Sequence, residues 1–297
     1  MTSRIVVIGP GAIGLCVGAA LMAGGHEVTF LSRQPFASLS VARKGDPVQV
    51  VPARVVTTPD RPGECDWVFL CVKAHQVPST AEALRAAVGP RTRLAILQNG
   101  VEHLENVAPF VPANTDCVPV MIDLPATRHQ IGVAEWTRHA RASVPKGPSG
   151  EAFCALLEGS FIAASVSDDW RSQAWRKLCI NAPAGAILAL TGQPMGVFHR
   201  PGVAEIARAI LAECIAVGRA EGAQLEDAIL ASQMQDFMTA DPNAGNSMYE
   251  DWRAGRETEW NARNGVIVRK GLAHGVPTPV SAILVPLLAA QNTRSTV

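Results

Sequence analysis

The chain has no excess of charge of either sign: 26 Lys and Arg balance 26 Asp and Glu, so the formal net charge is zero. Without a broad basic field there is no electrostatic case for nucleic acid or for an anionic membrane surface. A local positive pocket for a phosphate is still compatible with that balance. No stretch approaches the ~20 apolar residues needed to cross a bilayer. The run Ala282–Ala290 is short and contains Pro286, which fits a buried helix better. The apolar run near the N-terminus is interrupted by glycines and leads straight into a foldable unit, which is unlike a signal peptide. There is no CxxC pair among the seven cysteines, which stand mostly among apolar neighbours. That usage suits reduced thiols in a cytoplasmic protein. The seven histidines are equally scattered, so no metal site is expected. There is no internal repeat and no low-complexity tract.

The 297 residues suggest two domains, and 48% hydrophobic content is ample for their cores. In the first half, short β-rich runs alternate with helical patterns. Ile5–Ile8 is continuously apolar, as a strand buried on both faces should be. Ala12–Met22 reads as a helix ended by Gly24-Gly25, and His26–Leu31 as a second strand. Asp66–Val72 is a third strand, preceded by Pro62-Gly63 and followed by Lys73. Val77–Val88 is helical, Leu94–Gln98 is a strand stopped by Asn99-Gly100, and Cys117–Ile122 is another strand. Such alternation predicts a doubly wound α/β sheet. Near Val166–Asp169 the pattern turns wholly helical: Trp170–Leu190, Val203–Ala220, Glu226–Thr239, Glu257–Ala273 and Pro277–Ala290, with a loop at Asp241–Asn246. The expected architecture is a Rossmann-type domain over residues 1–167 and an all-helical domain over 168–297.

Gly9-Pro10-Gly11-Ala12-Ile13-Gly14 is a GxGxxG placed directly after a strand and opening a helix. The first glycine permits the tight turn, the second lets a pyrophosphate approach the backbone, and the third allows close helix–strand packing. The N–H groups at the start of the helix, on Ala12, Ile13 and Gly14, then face the phosphates. The alternative is a glycine-rich structural turn. An enzyme using NAD commonly has Asp or Glu at the end of the second strand to bond the ribose hydroxyls. Here that carboxylate is missing, and Leu31-Ser32-Arg33 stands in its place. A hydroxyl and a guanidinium suit a 2′-phosphate, which points to NADP(H); otherwise Arg33 is a solvated loop residue.

Several segments together resemble the ketopantoate reductase (2-dehydropantoate 2-reductase) family. They are the glycine motif, Cys71-Val72-Lys73-Ala74-His75-Gln76-Val77, Asn99-Gly100 and Trp175-Arg176-Lys177-Leu178-Cys179-Ile180-Asn181-Ala182. Ser247-Met248-Tyr249-Glu250-Asp251, Thr258-Glu259, Asn264-Gly265 and Gly275-Val276-Pro277-Thr278-Pro279 extend the likeness over nearly the whole chain. The resemblance implies reduction of a 2-keto acid by NADPH in a cleft between the domains, with hinge closure. It places the general acid at Lys177 and a glutamate engaging substrate and lysine at Glu259. It also places a contact for the substrate carboxylate at Ser247, and groups near nicotinamide and substrate at Lys73, Gln76, Asn99 and Asn181.

The residues themselves support part of this. Reduction of a ketone by hydride leaves an alkoxide, which needs a proton donor. Lys177 is one of only five lysines, set in a largely apolar helix, with Asn181 one turn on along the same face. An apolar setting disfavours the ammonium and makes it a better acid. Three structural alternatives stand beside these roles. Lys177 could snorkel from an interface. Glu257 and Glu259 could serve a helix dipole, and Ser247 could cap the helix that follows. Some positions depart from the family pattern: Gly185 and Met195 replace asparagines, Asn261 replaces an aspartate, Ser281 replaces another asparagine, and Arg263 adds a cation. Gly132–Lys146 is unusually rich in Arg and His. The departures leave room for a different 2-keto acid, ketone or imine as substrate, or for an NADPH sensor without turnover. A homodimer is a further expectation from the apolar helices.

Overall fold

The computed structural model describes residues 2–57 and 64–292; Pro62-Gly63, expected to precede the third strand, lies outside them. The chain divides into two compact units. One comprises Met1–Gln98 with His103–Trp170, and the other Asn99–Glu102 with Arg171–Val297.

The first unit contains β1 (Arg4–Ile8), β2 (Glu27–Leu31), β3 (Ser38–Arg43), β4 (Val50–Pro52), β5 (Arg54–Val56) and β6 (Trp67–Leu70). It continues with β7 (Arg93–Leu97), β8 (Asp116–Asp123), β9 (Ala126–Gln130), β10 (Val133–Trp136), β11 (Arg141–Pro145) and β12 (Ala163–Ser167). Eight strands form one sheet in the order β12-β11-β8-β7-β6-β1-β2-β5. Every neighbouring pair is parallel except β11 with β8, which is antiparallel.

The reason β1 reads as a continuous apolar run is visible in its burial. Ile5 and Val7 enter one core, with α1 (Ala12–Ala23), Phe30, Phe69 and Phe153. Val6 and Ile8 enter the other, with Leu84 of α2 (Ala81–Ala87) and Val107 of α3 (His103–Val107). The two-residue period of a strand thus distributes one apolar run between two cores. The helix α4 (Pro148–Leu156) supplies Phe153 to the first core.

A smaller sheet, β4-β3-β10-β9, was not foreseen. Its strands carry exposed polar positions and give little apolar periodicity, β9 being exposed at four of its five residues. Of the Arg- and His-rich stretch Gly132–Lys146, Arg138 and His139 lie between β10 and β11, and Arg141 opens β11 at an exposed position.

Among its described residues the second unit holds no strand. Its helices are α5 (Trp170–Thr191, whose first residue belongs to the other unit), α6 (Val203–Ala220), α7 (Ala228–Thr239), α8 (Ser247–Arg253), α9 (Val266–His274) and α10 (Pro279–Asn292). Their shared core gathers Trp175, Leu178, Leu188, Ile210, Leu211, Cys214 and Phe237. A helix was expected from Glu257, but regular helix begins later, with a π-turn at Asn261–Gly265 running into α9. Glu259 stands just ahead of it, its carbonyl accepting the Arg263 N–H at 3.2 Å. Its side chain is engaged elsewhere, as described below. At α10, the buried Glu213 of α6 accepts the N–H groups of Val280 (2.7 Å) and Ser281 (2.9 Å), so a carboxylate answers the positive end of that helix.

Candidate active site

In the first unit, the glycine motif sits at the C-terminal edge of β1, with β6 and β2 on either side. Gly9 has φ of +87°, and a Cβ there would lie 2.4 Å from Val72 Cγ1. At Gly14 a Cβ would reach the Gly9 carbonyl oxygen. Both positions therefore require glycine on steric grounds. Gly11 is different: a Cβ there would meet nothing within 4 Å. Gly11 is also the N-cap of α1, and no side chain caps that helix. The start of α1 therefore has open space beside Gly11 and no side-chain cap, and such an uncapped helix start suits a pyrophosphate.

Ser32 and Arg33 follow β2, and the β2 end is tied to the motif by the Gly9 N–H donating to the Leu31 carbonyl at 3.4 Å. Arg33 is exposed and pairs with no carboxylate among the described residues. The third strand end is built by Lys73 and Gln76. The Lys73 N–H donates to Gln76 Oε1 at 3.3 Å, and the Gln76 N–H returns to the Lys73 carbonyl at 2.8 Å. The two-residue spacing between Lys and Gln is accounted for by this closed turn. Gln98 Nε2 in turn donates to the Val72 carbonyl at 3.2 Å, and His103 bonds the Gln98 carbonyl at 3.0 Å.

In the second unit, the expected residues converge in part. Asn99 Nδ2 donates to Glu259 Oε2 at 2.9 Å. Arg263 Nη2 reaches the same oxygen at 3.5 Å and donates to Ser247 Oγ at 2.7 Å. Glu259 and Arg263 are buried, at 5% and 1% exposure, whereas Ser247 is exposed. Asn99, Glu259, Arg263 and Ser247 therefore form one hydrogen-bonded chain ending at an accessible hydroxyl. Ser247 is not the cap of α8: Asn246 is, its Oδ1 accepting the Tyr249 N–H at 2.9 Å. That leaves the Ser247 hydroxyl to the Arg263 contact.

Lys177 and Asn181 lie half-buried one turn apart on α5. The same stripe continues to Gly185, whose Cβ would lie 3.7 Å from Arg263 Cδ and 3.0 Å from Met248 Sδ. Asn264 Nδ2 donates to the Ala182 carbonyl at 3.0 Å and fixes the π-turn against α5. The stripe bearing Lys177 and Asn181 thus runs toward the Glu259–Arg263–Ser247 chain. Arg263 is the participant that motif reading left outside the site, although its added charge was a visible signal.

The other departures have local explanations. Asn261 Oδ1 accepts from Arg269 Nη1, and Arg269 also pairs with Glu102, its Nη2 lying 2.5 Å from Oε2. Ser281 is fully buried, held through its N–H by Glu213. Met195 gives its N–H to the Ala244 carbonyl at 2.9 Å, pinning the 241–246 loop. Among the described residues no group of three or more His, Cys, Asp or Glu could hold a metal ion.

Comparisons with known proteins show the family. The family description "Ketopantoate reductase PanE/ApbA" matches residues 5–149, and "Ketopantoate reductase PanE/ApbA C terminal" matches residues 169–292. A 2-dehydropantoate 2-reductase of Caulobacter vibrioides is 44% identical over 293 residues, spanning 98% of this chain and 99% of that protein. One from Mycobacterium tuberculosis is 40% identical over 294 residues, with 98% and 99% covered. The crystal structure of a PanE/ApbA family ketopantoate reductase from Ralstonia eutropha superposes with a TM-score of 0.90 at 25% identity, covering 99% of this chain and 100% of that one.

Proposed function

Because the chain belongs to the ketopantoate reductase family, we propose that it reduces 2-dehydropantoate to pantoate at the expense of NADPH. The observation that carries the reading furthest is the hydrogen-bonded Asn99–Glu259–Arg263–Ser247 chain, buried at Glu259 and Arg263, beside the α5 stripe of Lys177 and Asn181.

When bound, NADPH supplies a hydride to the ketone carbon. The uncapped start of α1 and the open space at Gly11 fit its pyrophosphate, and Ser32 and Arg33 fit its 2′-phosphate. Lys73, Gln76 and Asn99, each just past a strand, would contribute contacts to the bound cofactor. Lys177 Nζ holds the proton that goes to the carbonyl oxygen, turning the nascent alkoxide into the hydroxyl of pantoate. Glu259 steadies the ammonium and the substrate hydroxyl, and Asn181 orients the substrate from the next turn of α5. Ser247 presents its hydroxyl to the substrate carboxylate.

The test is the loss of NADPH absorbance when purified protein is mixed with 2-dehydropantoate. Saturable oxidation supports the reading. NADPH binding without oxidation would remove this substrate and send the search to other 2-keto acids, ketones and imines.

Two further proposals concern the protein in its setting. Apolar side chains are exposed on α10 at Ile283 (65%) and Leu287 (52%), which suits a second copy of the chain as partner. Light scattering giving a monomer mass at micromolar concentration would refute the homodimer. The described cysteines are all free thiols, and Cys179 Sγ donates to Cys214 Sγ at 3.6 Å with no disulfide between them. Burial pushes the Cys16 thiol up to about 12 and raises Cys214 well above its usual value. Inert, reduced thiols suit a cytoplasmic location, which fractionation of cells would check. No helix among the described residues is long and apolar enough to cross a membrane.

A further inference from the structure

We propose that Arg263 is a positioning residue that sets selectivity for a carboxylate-bearing substrate by locking the Ser247 hydroxyl as a donor. The inference rests on the 2-keto acid reading above and names how that site recognises its anion.

A serine hydroxyl has one hydrogen to give and two lone pairs to accept with. Arg263 Nη2 is a donor only, so at 2.7 Å it occupies a lone pair of Ser247 Oγ. The hydroxyl hydrogen must then point elsewhere. No described residue accepts it, and Ser247 is exposed whereas Arg263 is 1% exposed. A buried cation thus stands behind an accessible hydroxyl, polarising it and aiming its hydrogen outward. Such a donor prefers an anionic acceptor.

The charge arithmetic points the same way. Arg263 has a carboxylate at 3.5 Å, Glu259 Oε2, but that oxygen already accepts from Asn99 at 2.9 Å. Arg263 Nε and Nη1 are buried with no hydrogen-bond partner among the described residues. A guanidinium left so incompletely answered is poorly explained by stability alone, since each unanswered N–H costs desolvation. An anion at Ser247 would add negative charge on the Nη2 side, though it would not reach the buried Nε and Nη1. The seat is also specific. Arg263 rides on the π-turn anchored by Asn264 to the Ala182 carbonyl, and Gly185 leaves the space beside its Cδ. Residues carried on such π-turns are frequently functional.

The test is a double-mutant cycle on the full chain with NADPH, comparing 2-dehydropantoate with its uncharged methyl ester. Arg263→Met should raise KM for the acid about 10–100-fold, the range for a hydrogen bond to a charged group, with kcat within about threefold. The ester, which shares any loss transmitted through Glu259, should lose at least about tenfold less in kcat/KM than the acid. Added to Ser247→Ala, Arg263→Met should cost less than about threefold more, because both act through one hydroxyl. Arg263→Lys should restore part of the KM and guards against a methionine variant that folds poorly. Equal losses on acid and ester, or full additivity with Ser247→Ala, would overturn the proposal. If wild type binds 2-dehydropantoate calorimetrically without oxidising NADPH, the reductase reading falls, and the same cycle is read in Kd. If wild type binds no 2-keto acid, both fall.

Discussion

Lys177→Ala lowers kcat for 2-dehydropantoate by roughly 10²–10⁴-fold, the usual span for loss of a positioned general acid. Hydride arrival at the carbonyl carbon creates a negative oxygen, and a site without a proton source must take that proton from water. Lys177 is the half-buried ammonium of the α5 stripe that continues through Asn181 to Gly185. One turn separates each pair, so the three positions share a face. The stripe ends against Arg263, whose Nη2 touches Glu259. The acid and the carboxylate proposed to steady it therefore belong to one region of the same unit. A structural lysine behaves differently: its removal would shift the melting temperature and leave turnover nearly intact. Steady-state kinetics beside a thermal melt separates the two. Lys177→Arg makes the contrast sharper. Guanidinium keeps the charge but gives up a proton far less readily, so it should rescue binding and leave kcat low. Near-normal turnover in the alanine variant would sink the assignment of Lys177.

Most of this region was legible in the sequence because helices with one apolar face write their period plainly. The bounds of α6, Val203–Ala220, are those its periodicity predicts. The β1 run was equally plain, since both its faces are buried. Elements whose side chains face solvent left no such mark, and so the β4-β3-β10-β9 sheet escaped notice. The helical pattern over Glu257–Ala273 places Glu257–Glu259 in a helix, where acids would suit its start. In the folded chain Thr258 and Glu259 are instead buried ahead of the π-turn, and Glu259 is held by Asn99, far away in sequence. A contact of that range has no local signature. Ser247 raised the same difficulty, because serine and asparagine are comparable caps and Asn246 beside it took the role. Against the family pattern Arg263 is only an added charge. Its meaning depends on Gly185, 78 positions earlier, and on Ser247, which no window of local sequence could have joined to it.

Arg33→Asp should weaken NADPH by about 100-fold or more while changing NADH by less than about threefold. The substitution removes a charge-assisted partner of the 2′-phosphate and puts a like charge in its place, and like-charge juxtaposition costs several kcal/mol. Geometry favours a large effect: Arg33 follows β2 directly, and the end of β2 is hydrogen-bonded to Gly9 of the phosphate-binding turn. The neighbouring Ser32 hydroxyl accepts the Gln34 N–H at 3.3 Å, which leaves its own hydrogen for a phosphate oxygen. Because Arg33 is exposed, part of its attraction is screened by salt. The ratio of NADPH to NADH affinity in wild type should therefore narrow between low and high ionic strength, and the variant should show the reverse trend as repulsion is screened. Fluorescence titration of both cofactors at two salt concentrations reads all four quantities. A structural role for Arg33 would move both cofactors together. An unchanged preference in Arg33→Asp would mean that the 2′-phosphate is held elsewhere, and the absent carboxylate after β2 would then lose its bearing on cofactor choice.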